Sequence, residues 1–266
     1  MPGTLISMSE IMRVAPWSLR ALGHPFGTAE RATRLLAWTQ AATGHGLDLL
    51  RIGEAAIAAS NRLPPPQRTG DHLTGRRIRA GGRNLFEIGP PAIDLATCDA
   101  RLHGQGEVVV DGAIGSLLVP SLANLAGRRG LSAILVYRPV PGDVRLDGWA
   151  DEGWVAVVRR GEAMAYHGGP LDQLPAMTAC LPCLAGKALA FAEAGAGAGA
   201  GLAIFAGVAQ GDGRAPALGT IDHDERVARA YREGLEVPAE DLAHLYALER
   251  ITWAPTSERS RKQAGY

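Results

Sequence analysis

The sequence predicts an α/β (α+β) fold, in which an N-terminal helical segment and C-terminal helices pack against a lobe with a mixed sheet. Two observations support this prediction. Apolar residues recur at helical spacing within residues 7–60 and again within 218–250. Between these parts, short apolar runs typical of buried strands alternate with a helical pattern, and such alternation indicates an α/β lobe.

The chain of 266 residues is long enough to bury a sizeable core, and its patterns divide it into four parts. Residues 1–64 form the helical N-terminal segment, which ends at a run of three prolines. A polar stretch rich in Arg and Gly follows, so residues 65–106 are interpreted as a linker and connecting segment. Residues 107–217 form the α/β lobe. Residues 218–266 form C-terminal helices, which we expect to pack back on the N-terminal segment.

Three helices are predicted in the N-terminal segment. Ser7 and Glu10 have the spacing of a capping box at the start of the first helix, and Pro16 is expected to kink or end that helix early. Thr28 is the predicted N-cap of the second helix, which ends at Gly44. The third helix follows this glycine and stops at the prolines.

The lobe is predicted to combine strands with one long helix. A strand at Glu107–Val110 ends in an Asp-Gly turn, and a helix from Ser116 to Arg129 follows, with Pro120 in its first turn. The remaining predicted elements are strands at Leu131–Tyr137, Trp154–Arg160 and Leu202–Ala209, a short helix near 147–153, and two C-terminal helices that begin near Asp222 and Pro238.

The composition excludes several classes of protein. Basic and acidic residues balance at 27 each, which gives no indication of a nucleic-acid partner or of binding to an anionic membrane. The N-terminus lacks the pattern of a secretory signal, and no apolar run is long enough to span a membrane. Three cysteines are an odd number, which argues against a secreted disulfide scaffold. We therefore expect a cytoplasmic protein.

His45 lies between Gly44 and Gly46, at the break between two predicted helices. An imidazole can give a proton to a carbonyl that becomes an alcohol, and flanking glycines leave a ligand room to approach the ring. A catalytic His45 should face a cleft with room for a small acid; the alternative is a turn histidine that hydrogen-bonds a helix end. Arg51 and Arg138 are candidates to hold a substrate carboxylate, or are solvated surface arginines.

His223 stands at the predicted start of a C-terminal helix. A helix N-terminus attracts anions and disfavours an imidazolium, so this site could bind a carboxylate or phosphate, or keep His223 neutral. The alternative is that Asp222 and Glu225 simply cap the helix.

Cys180 and Cys183 form a CxxC pair without a second pair at metal spacing. The pair is compatible with a zinc or redox module, or with two small residues around a turn, and we predict no metal site. The stretch Gly195–Gly201 alternates Gly and Ala but does not match GxGxxG. No clear strand leads into it, so it is interpreted as a connector.

Three stretches together resemble the type-2 malate/L-lactate dehydrogenase family, which includes ureidoglycolate dehydrogenases and diketogulonate reductases. The first is the helix–GHG–helix around His45, similar to the family's SHG motif. The second is VVVDGAIGSLLVPSLANLAGRRGLSAILVYRP with DGWADEGWVAVV. The third is TIDHDERVARAYREGLEVPAEDLAHLYALE, in which His223 and Asp224 fall on the family's GHE motif. The tail APTSERSR also resembles a bacterial family of unknown function, a shortened relative of these dehydrogenases.

The resemblance implies a non-Rossmann fold, a homodimer, a small-molecule substrate and a nicotinamide cofactor, NADH or NADPH. It implies that His45 donates a proton in the reduction of a small 2-oxo acid or cyclic imine. It further implies that Arg51 or Arg138 holds the substrate carboxylate, and that His223 and Asp224 contribute to the cofactor site.

The sequence also departs from the family pattern. The chain is shorter, and the missing part falls between Arg160 and about Leu202, where larger members carry much of their nicotinamide site. The loop after Tyr137 lacks the family's second active-site histidine. Gly44 replaces the serine before the motif histidine, and Arg51 comes later than the family's arginine. An alternative function is a cofactor-independent isomerase or lyase, or a non-catalytic subunit, on the same scaffold.

Overall fold

The computed structural model describes residues 3–143, 153–159, 166–194, 201–208, 220–221 and 223–252. Most of the helix predicted near 147–153, most of the Gly/Ala stretch, Asp222 and the terminal tail lie outside these residues.

The described chain combines helices and strands, as the predicted α/β (α+β) fold class requires. The helices are α1 (Met8–Ala21), α2 (Phe26–Thr43), α3 (Gly46–Ser60), α4 (Leu85–His103), α5 (Val119–Arg128), α6 (Leu174–Thr178), α7 (Pro182–Glu193), α8 (His223–Glu233) and α9 (Ala239–Ile251). The strands are β1 (Gly3–Ile6), β2 (Gln67–Thr69), β3 (Arg76–Arg79), β4 (Gln105–Asp111), β5 (Ser132–Arg138), β6 (Trp154–Val158), β7 (Tyr166–Pro170), β8 (Gly201–Gly207), β9 (Thr220–Ile221) and β10 (Leu235–Pro238).

The first helix confirms its predicted cap and corrects its predicted end. The backbone N–H of Glu10 donates to the Ser7 hydroxyl at 3.1 Å, as an N-cap requires. Pro16 lies inside α1, which continues to Ala21. Pro16 removes one helical donor, but the residue is buried where α1 packs against α2 and α9. This tertiary packing outweighs the local cost.

The start of the second helix also differs from the prediction. α2 begins at Phe26, two residues before Thr28, and Pro25 occupies the N-cap position in an extended conformation. The Thr28 N–H donates to the Pro25 carbonyl at 3.0 Å, so it already belongs to the first helical turn. The predicted end is confirmed, since Gly44 closes α2 with φ +81°.

The lobe contains a mixed sheet, as predicted. Eight described strands follow the order β2-β3-β4-β8-β5-β6-β7-β9. β3 and β4 pair in parallel, and the other neighbours pair antiparallel. β1 and β10 form a separate two-stranded ladder that joins the start of the chain to the segment before α9.

Helices cover both faces of this sheet, so its central strands are buried on both sides. In β5, Leu135 and Tyr137 point into the larger core, which α1 to α5 and the C-terminal helices share. Ile134 and Val136 alternate with them and point into a smaller core under α6 and α7. Burial on both faces explains why β5 has a continuous apolar sequence.

The segment 65–106, interpreted from sequence as a linker, contains β2, β3 and the 19-residue helix α4. The Asn84 side chain accepts a hydrogen bond from the Phe86 N–H at 3.1 Å and caps α4. Gly89, Pro90 and Pro91 lie inside the helix and interrupt the signals that identify a helix in a sequence. Burial against β4 and α5 stabilises α4 despite these residues.

The C-terminal helices of the described chain contact helices of the N-terminal segment. α9 contacts α1 and α3, and α8 contacts α2. Arg13 pairs with Glu249 at 3.4 Å, and the Tyr246 hydroxyl donates to Glu10. Within the described ranges, no helix combines the length and the apolar character that crossing a membrane requires.

Candidate functional site

The GHG turn is held in place by one buried side chain, Gln40 in α2. Its Nε2 donates to the Gly44 carbonyl at 2.9 Å, and its Oε1 accepts from the Leu47 N–H at 2.9 Å. The two bonds bracket His45 on both sides. They satisfy one carbonyl at the end of α2 and one N–H at the start of α3, which helix ends otherwise leave unpaired. The backbone of His45 is therefore fixed by the fold.

The His45 ring contacts a carboxylate one helical turn away. Its Nδ1 lies 2.8 Å from Oδ2 of Asp48. An ionised carboxylate only accepts hydrogen bonds, so Nδ1 carries the proton in this contact and Nε2 is left for a ligand. The His45 side chain is 41% exposed, whereas that of Asp48 is 14% exposed. The arrangement can hold the imidazole in one tautomer.

Arg51 extends this contact towards α9. Its Nη2 lies 3.3 Å from Oδ1 of Asp48 and 3.5 Å from Oε1 of Glu240, and its Nε donates to Asp241. The Asp241 carboxylate raises the pKa of Arg51. Nη1 has no hydrogen-bond partner among the described residues, and the side chain is 32% exposed.

Asp241 is the most buried member of this group, with its side chain 1% exposed. Its Oδ2 has no hydrogen-bond partner in the described part of the chain. Burial raises the pKa of Asp241, and the Asp48 carboxyl raises it as well, while Arg51 opposes both effects. We call His45, Asp48, Arg51 and Asp241 the His45 network.

Arg138, the second candidate for a substrate carboxylate, lies elsewhere. It ends β5 on the face that carries α7, and its guanidinium lies 5.9 Å from the ring centre of Phe191. The network residues belong to the helical layers on the other face of the sheet. The structure therefore brings His45 and Arg51 together and separates Arg138 from both.

His223 is 2% exposed, which does not fit a direct contact with a cofactor. Its Nδ1 lies 2.8 Å from the Asn124 amide nitrogen. Its ring meets Trp38 edge to face, with 6.1 Å between ring centres. The Asn124 amide N–H can donate to Nδ1 of His223 in this contact.

Asp224 is accessible and fits a polar contact better. Its Oδ1 lies 2.6 Å from Nη2 of Arg128, and the two side chains are 44% and 42% exposed. The Arg128 guanidinium also lies over the Trp38 ring, 4.8 Å from its centre. Asp224 and Arg128 thus present a carboxylate and a cation at the start of α8, above the buried pair of His223 and Asn124.

Sequence reasoning missed Asp48, Asp241, Gln40 and Asn124. Asp48 had a signal, because a residue three positions after His45 in a helix lies on the same face. Asp241 had none, since it is 190 positions from Arg51 and looks like an ordinary acidic residue in the first turn of a helix. Gln40 and Asn124 had none either, because their polar roles depend on burial.

Two cavities of the described chain lie away from His45. A groove of about 390 Å³ beside β3 and α7 includes Arg76, Lys187 and Phe191 in its lining. A second cavity, of about 380 Å³, is bounded by α1, α3 and α9 and includes Asn61. Neither of these two cavities includes His45 in its lining. The ring faces outward on a single chain.

The two cysteines of the CxxC pair show no feature of a zinc or redox module in the described residues. Cys180 is buried, Cys183 is exposed at the start of α7, and neither forms a disulfide with a described residue. Across the ranges that the structure describes, no three or more His, Cys, Asp and Glu side chains cluster in a way that could hold a metal ion.

The fold is shared with solved structures of dehydrogenases and a reductase. Malate dehydrogenase from Pyrococcus horikoshii OT3 aligns with 96% of this chain and 97% of its own, at 12% identity and a TM-score of 0.67. Sulfolactate dehydrogenase from Methanocaldococcus jannaschii aligns over 92% and 96%, at 13% identity and 0.62.

Delta1-piperideine-2-carboxylate reductase from Pseudomonas syringae pvar. tomato aligns over 92% of this chain and 99% of its own, at 14% identity and a TM-score of 0.58. No protein-family model matches the sequence, and no curated protein matches it either. The malate dehydrogenase-like fold expected from the resemblance is confirmed.

Proposed function

We propose that the protein is an NAD(P)-dependent oxidoreductase that reduces a small 2-oxo acid or cyclic imine, with His45 as proton donor. The observation that carries this proposal is the 2.8 Å contact between His45 Nδ1 and Asp48 at the GHG turn, which Gln40 holds in place. The fold adds support, since one structure with the same fold is a malate dehydrogenase and another is a piperideine-carboxylate reductase.

In such a reduction, the substrate carbon gains a hydride while its oxygen or nitrogen gains a proton. His45 would give this proton from Nε2 as an imidazolium, and the neutral ring that remains keeps its Nδ1–H on Asp48. The carboxylate fixes the tautomer and the orientation of the ring. A histidine and a carboxylate are thus sufficient for the proton half of the reaction.

Arg51 is the proposed partner for the substrate carboxylate. Its Nε and Nη2 are engaged by Asp241 and Asp48, so Nη1 is the nitrogen that would face a ligand. A guanidinium held at two nitrogens loses little further freedom when it binds an anion. Arg138, on the other face of the sheet, is less suited to act with His45.

The exposed pair Asp224–Arg128 would meet the cofactor. A carboxylate accepts hydrogen bonds from ribose hydroxyls, and an arginine pairs with phosphate. When bound, NADH or NADPH would supply the hydride. His223 would act indirectly, by supporting Trp38 beneath Arg128.

We also propose that the protein works as a homodimer, as the resemblance implies, and in the cytoplasm, as the composition indicates. An imidazole that is 41% exposed on one chain leaves room for a second copy to cover it. Light scattering after gel filtration would test this part. A monomer at micromolar concentration would contradict it.

Cofactor titration and one matched pair of variants test the proposal. NADH or NADPH should raise the melting temperature by mass action, and a panel of 2-oxo acids and cyclic imines should then oxidise the bound cofactor. His45→Gln should lower turnover by roughly 10²- to 10⁴-fold, as expected for loss of a general acid. His103→Gln, an exposed histidine at the end of α4, is the control and should leave turnover unchanged. Full activity of His45→Gln would dismiss the proposed role.

A second candidate is a cofactor-independent isomerase or lyase that keeps His45 as acid/base. The loop after β5 has no histidine, which favours a site that has lost hydride transfer. No change in melting temperature with either cofactor at millimolar concentration would favour this candidate. If His45→Gln then also left every acid/base activity intact, a non-catalytic subunit would be the remaining interpretation.

A further inference from the structure

We propose that Asp241 is a positioning residue for His45, and that it acts through Arg51 and Asp48. The consequence for catalysis rests on the proposed function, but the physical coupling between the residues does not. Asp241 begins the closing helix α9, far from His45 in sequence. The inference is that docking of α9 fixes which nitrogen of His45 carries the proton.

The contacts form one continuous line along α3. His45, Asp48 and Arg51 are spaced by three residues, so they share one face of the helix. Asp48 lies 2.8 Å from His45 and 3.3 Å from Arg51. Arg51 then donates to Asp241 on α9. No step in this line requires a water or a side chain outside the network.

The charges of the network show why Asp241 matters to His45. With an imidazolium, two carboxylates and one guanidinium, the net charge is zero. After the ring loses its proton, the two carboxylates face a single cation. Burial and the Asp48 carboxyl both raise the pKa of Asp241, so Asp241 is the carboxyl of the network that would then take up a proton. The charge state of Asp241 would therefore decide how strongly Asp48 holds Nδ1 of His45.

Other charged groups on the packed elements are engaged elsewhere. On α9, His244 lies 3.4 Å from Glu54 of α3, one turn beyond Asp241. From α1, Glu10 and Arg13 meet Tyr246 and Glu249 further along α9. Glu240 reaches Arg51 at 3.5 Å but is 64% exposed. Among the described residues, Arg51 and Asp48 are thus the charged groups that face Asp241.

The alternative is that Asp241 has only a structural role and holds α9 against α3. The two ideas differ in what they predict for the His45 ring, which can be observed without substrate or cofactor. In the full chain labelled with ¹⁵N-histidine, the nitrogen shifts report which ring nitrogen carries the proton. His45→Gln identifies the His45 signals. We expect the wild-type ring to carry its proton on Nδ1.

Asp241→Asn should remain folded and shift the His45 ring towards a mixture of tautomers, as Asp48→Asn should do more strongly. Glu240→Gln is the matched control, because it removes an exposed carboxylate from the same guanidinium and should leave the His45 signals unchanged. Identical His45 signals in wild type and folded Asp241→Asn would overturn the proposal.

Arg51→Lys keeps the test decisive if Asp241→Asn fails to fold. A lysine retains the charge but lacks the planar guanidinium that bridges the Asp48 and Asp241 carboxylates. This variant should therefore also shift the His45 ring towards a mixture of tautomers. Unchanged His45 signals in folded Arg51→Lys would equally overturn the proposal. If an activity is found, Asp241→Asn should displace the pH profile of kcat. Failure to find any activity leaves the spectroscopic result standing on its own.

Discussion

A Cβ atom built on Gly46 would lie 2.1 Å from the carbonyl oxygen of Leu36. It would also lie 2.5 Å from the backbone nitrogen of Gln40. The first residue of α3 therefore packs directly on the backbone of α2. Glycine follows His45 because of this crossing, and the same crossing holds the histidine in place.

Gly46→Ala should destabilise the protein by roughly 1–3 kcal/mol, because backbone atoms cannot yield to the new methyl group without shifting a helix. The shift should also displace His45 from Asp48. Urea unfolding monitored by circular dichroism would measure the loss. A Gly46→Ala protein as stable as wild type would contradict the packing described for this turn.

Gly44 is the matched control, because its constraint is of a different kind. Its φ is +81°, but a Cβ atom at this position would have no neighbouring atom within 4 Å. Gly44→Ala should cost about 1–2 kcal/mol from the left-handed conformation alone. Gly44→Asn should recover part of that loss, since Asn tolerates this conformation. Gly46→Asn should recover nothing.

Gln40→Met should destabilise the protein by roughly 1–3 kcal/mol, because a side chain of similar shape would leave the Leu47 N–H and the Gly44 carbonyl without their partners. Hydrogen exchange should accelerate at Leu47 more than in the body of α2. Equal exchange in wild type and variant would show that these bonds do not hold the turn.

The sequence predicted those elements whose signals are local. Gly44 and Gly234 end helices with φ of +81° and +86°, a conformation that glycine adopts freely. β5 and β8 are buried on both faces, so each is a short continuous apolar run. The Ser7 cap followed from the spacing to Glu10 alone.

Long-range packing decided the rest. α4 was missed because Pro90 and Pro91 break the helical pattern, and only burial between the sheet and α5 stabilises them there. His45 was identified by its flanking glycines. Asp241 could not be, because nothing near it in the sequence distinguishes it from Glu240, which is exposed.

Stability should depend on pH through Glu10, which links α1 to α9. The Arg13 guanidinium and the Tyr246 hydroxyl lower the pKa of Glu10 to about 2 from an ordinary value of 4.5. The folded state therefore favours the ionised form, and this contribution is present above pH 4.5 and lost as the pH falls towards 2. Urea unfolding of wild type and Glu10→Gln across this range should show a stability difference that narrows with falling pH.

Glu30→Gln is the control for this pH dependence, since Glu30 is exposed on α2 and forms no ion pair within the described residues. Its stability should follow that of wild type across the same range. Tyr246→Phe removes one of the two side chains that donate hydrogen bonds to the Glu10 carboxylate and should give an intermediate dependence. A difference between wild type and Glu10→Gln that stays constant from pH 6 to pH 2 would contradict the assignment.

Asn124→Leu should destabilise the protein by about 1–3 kcal/mol, because the Nδ1 of buried His223 loses its 2.8 Å partner while remaining out of contact with water. Arg128→Gln provides the comparison on the same surface. It removes an ion pair to Asp224 in which both side chains are more than 40% exposed, and such pairs contribute about 0–1 kcal/mol. Thermal and urea unfolding should therefore show that Asn124→Leu is much less stable than Arg128→Gln. Added salt should reduce the stability loss of Arg128→Gln only. If the two variants lost equal stability, the start of α8 would be held by its exposed charges and not by the buried hydrogen bond beneath them.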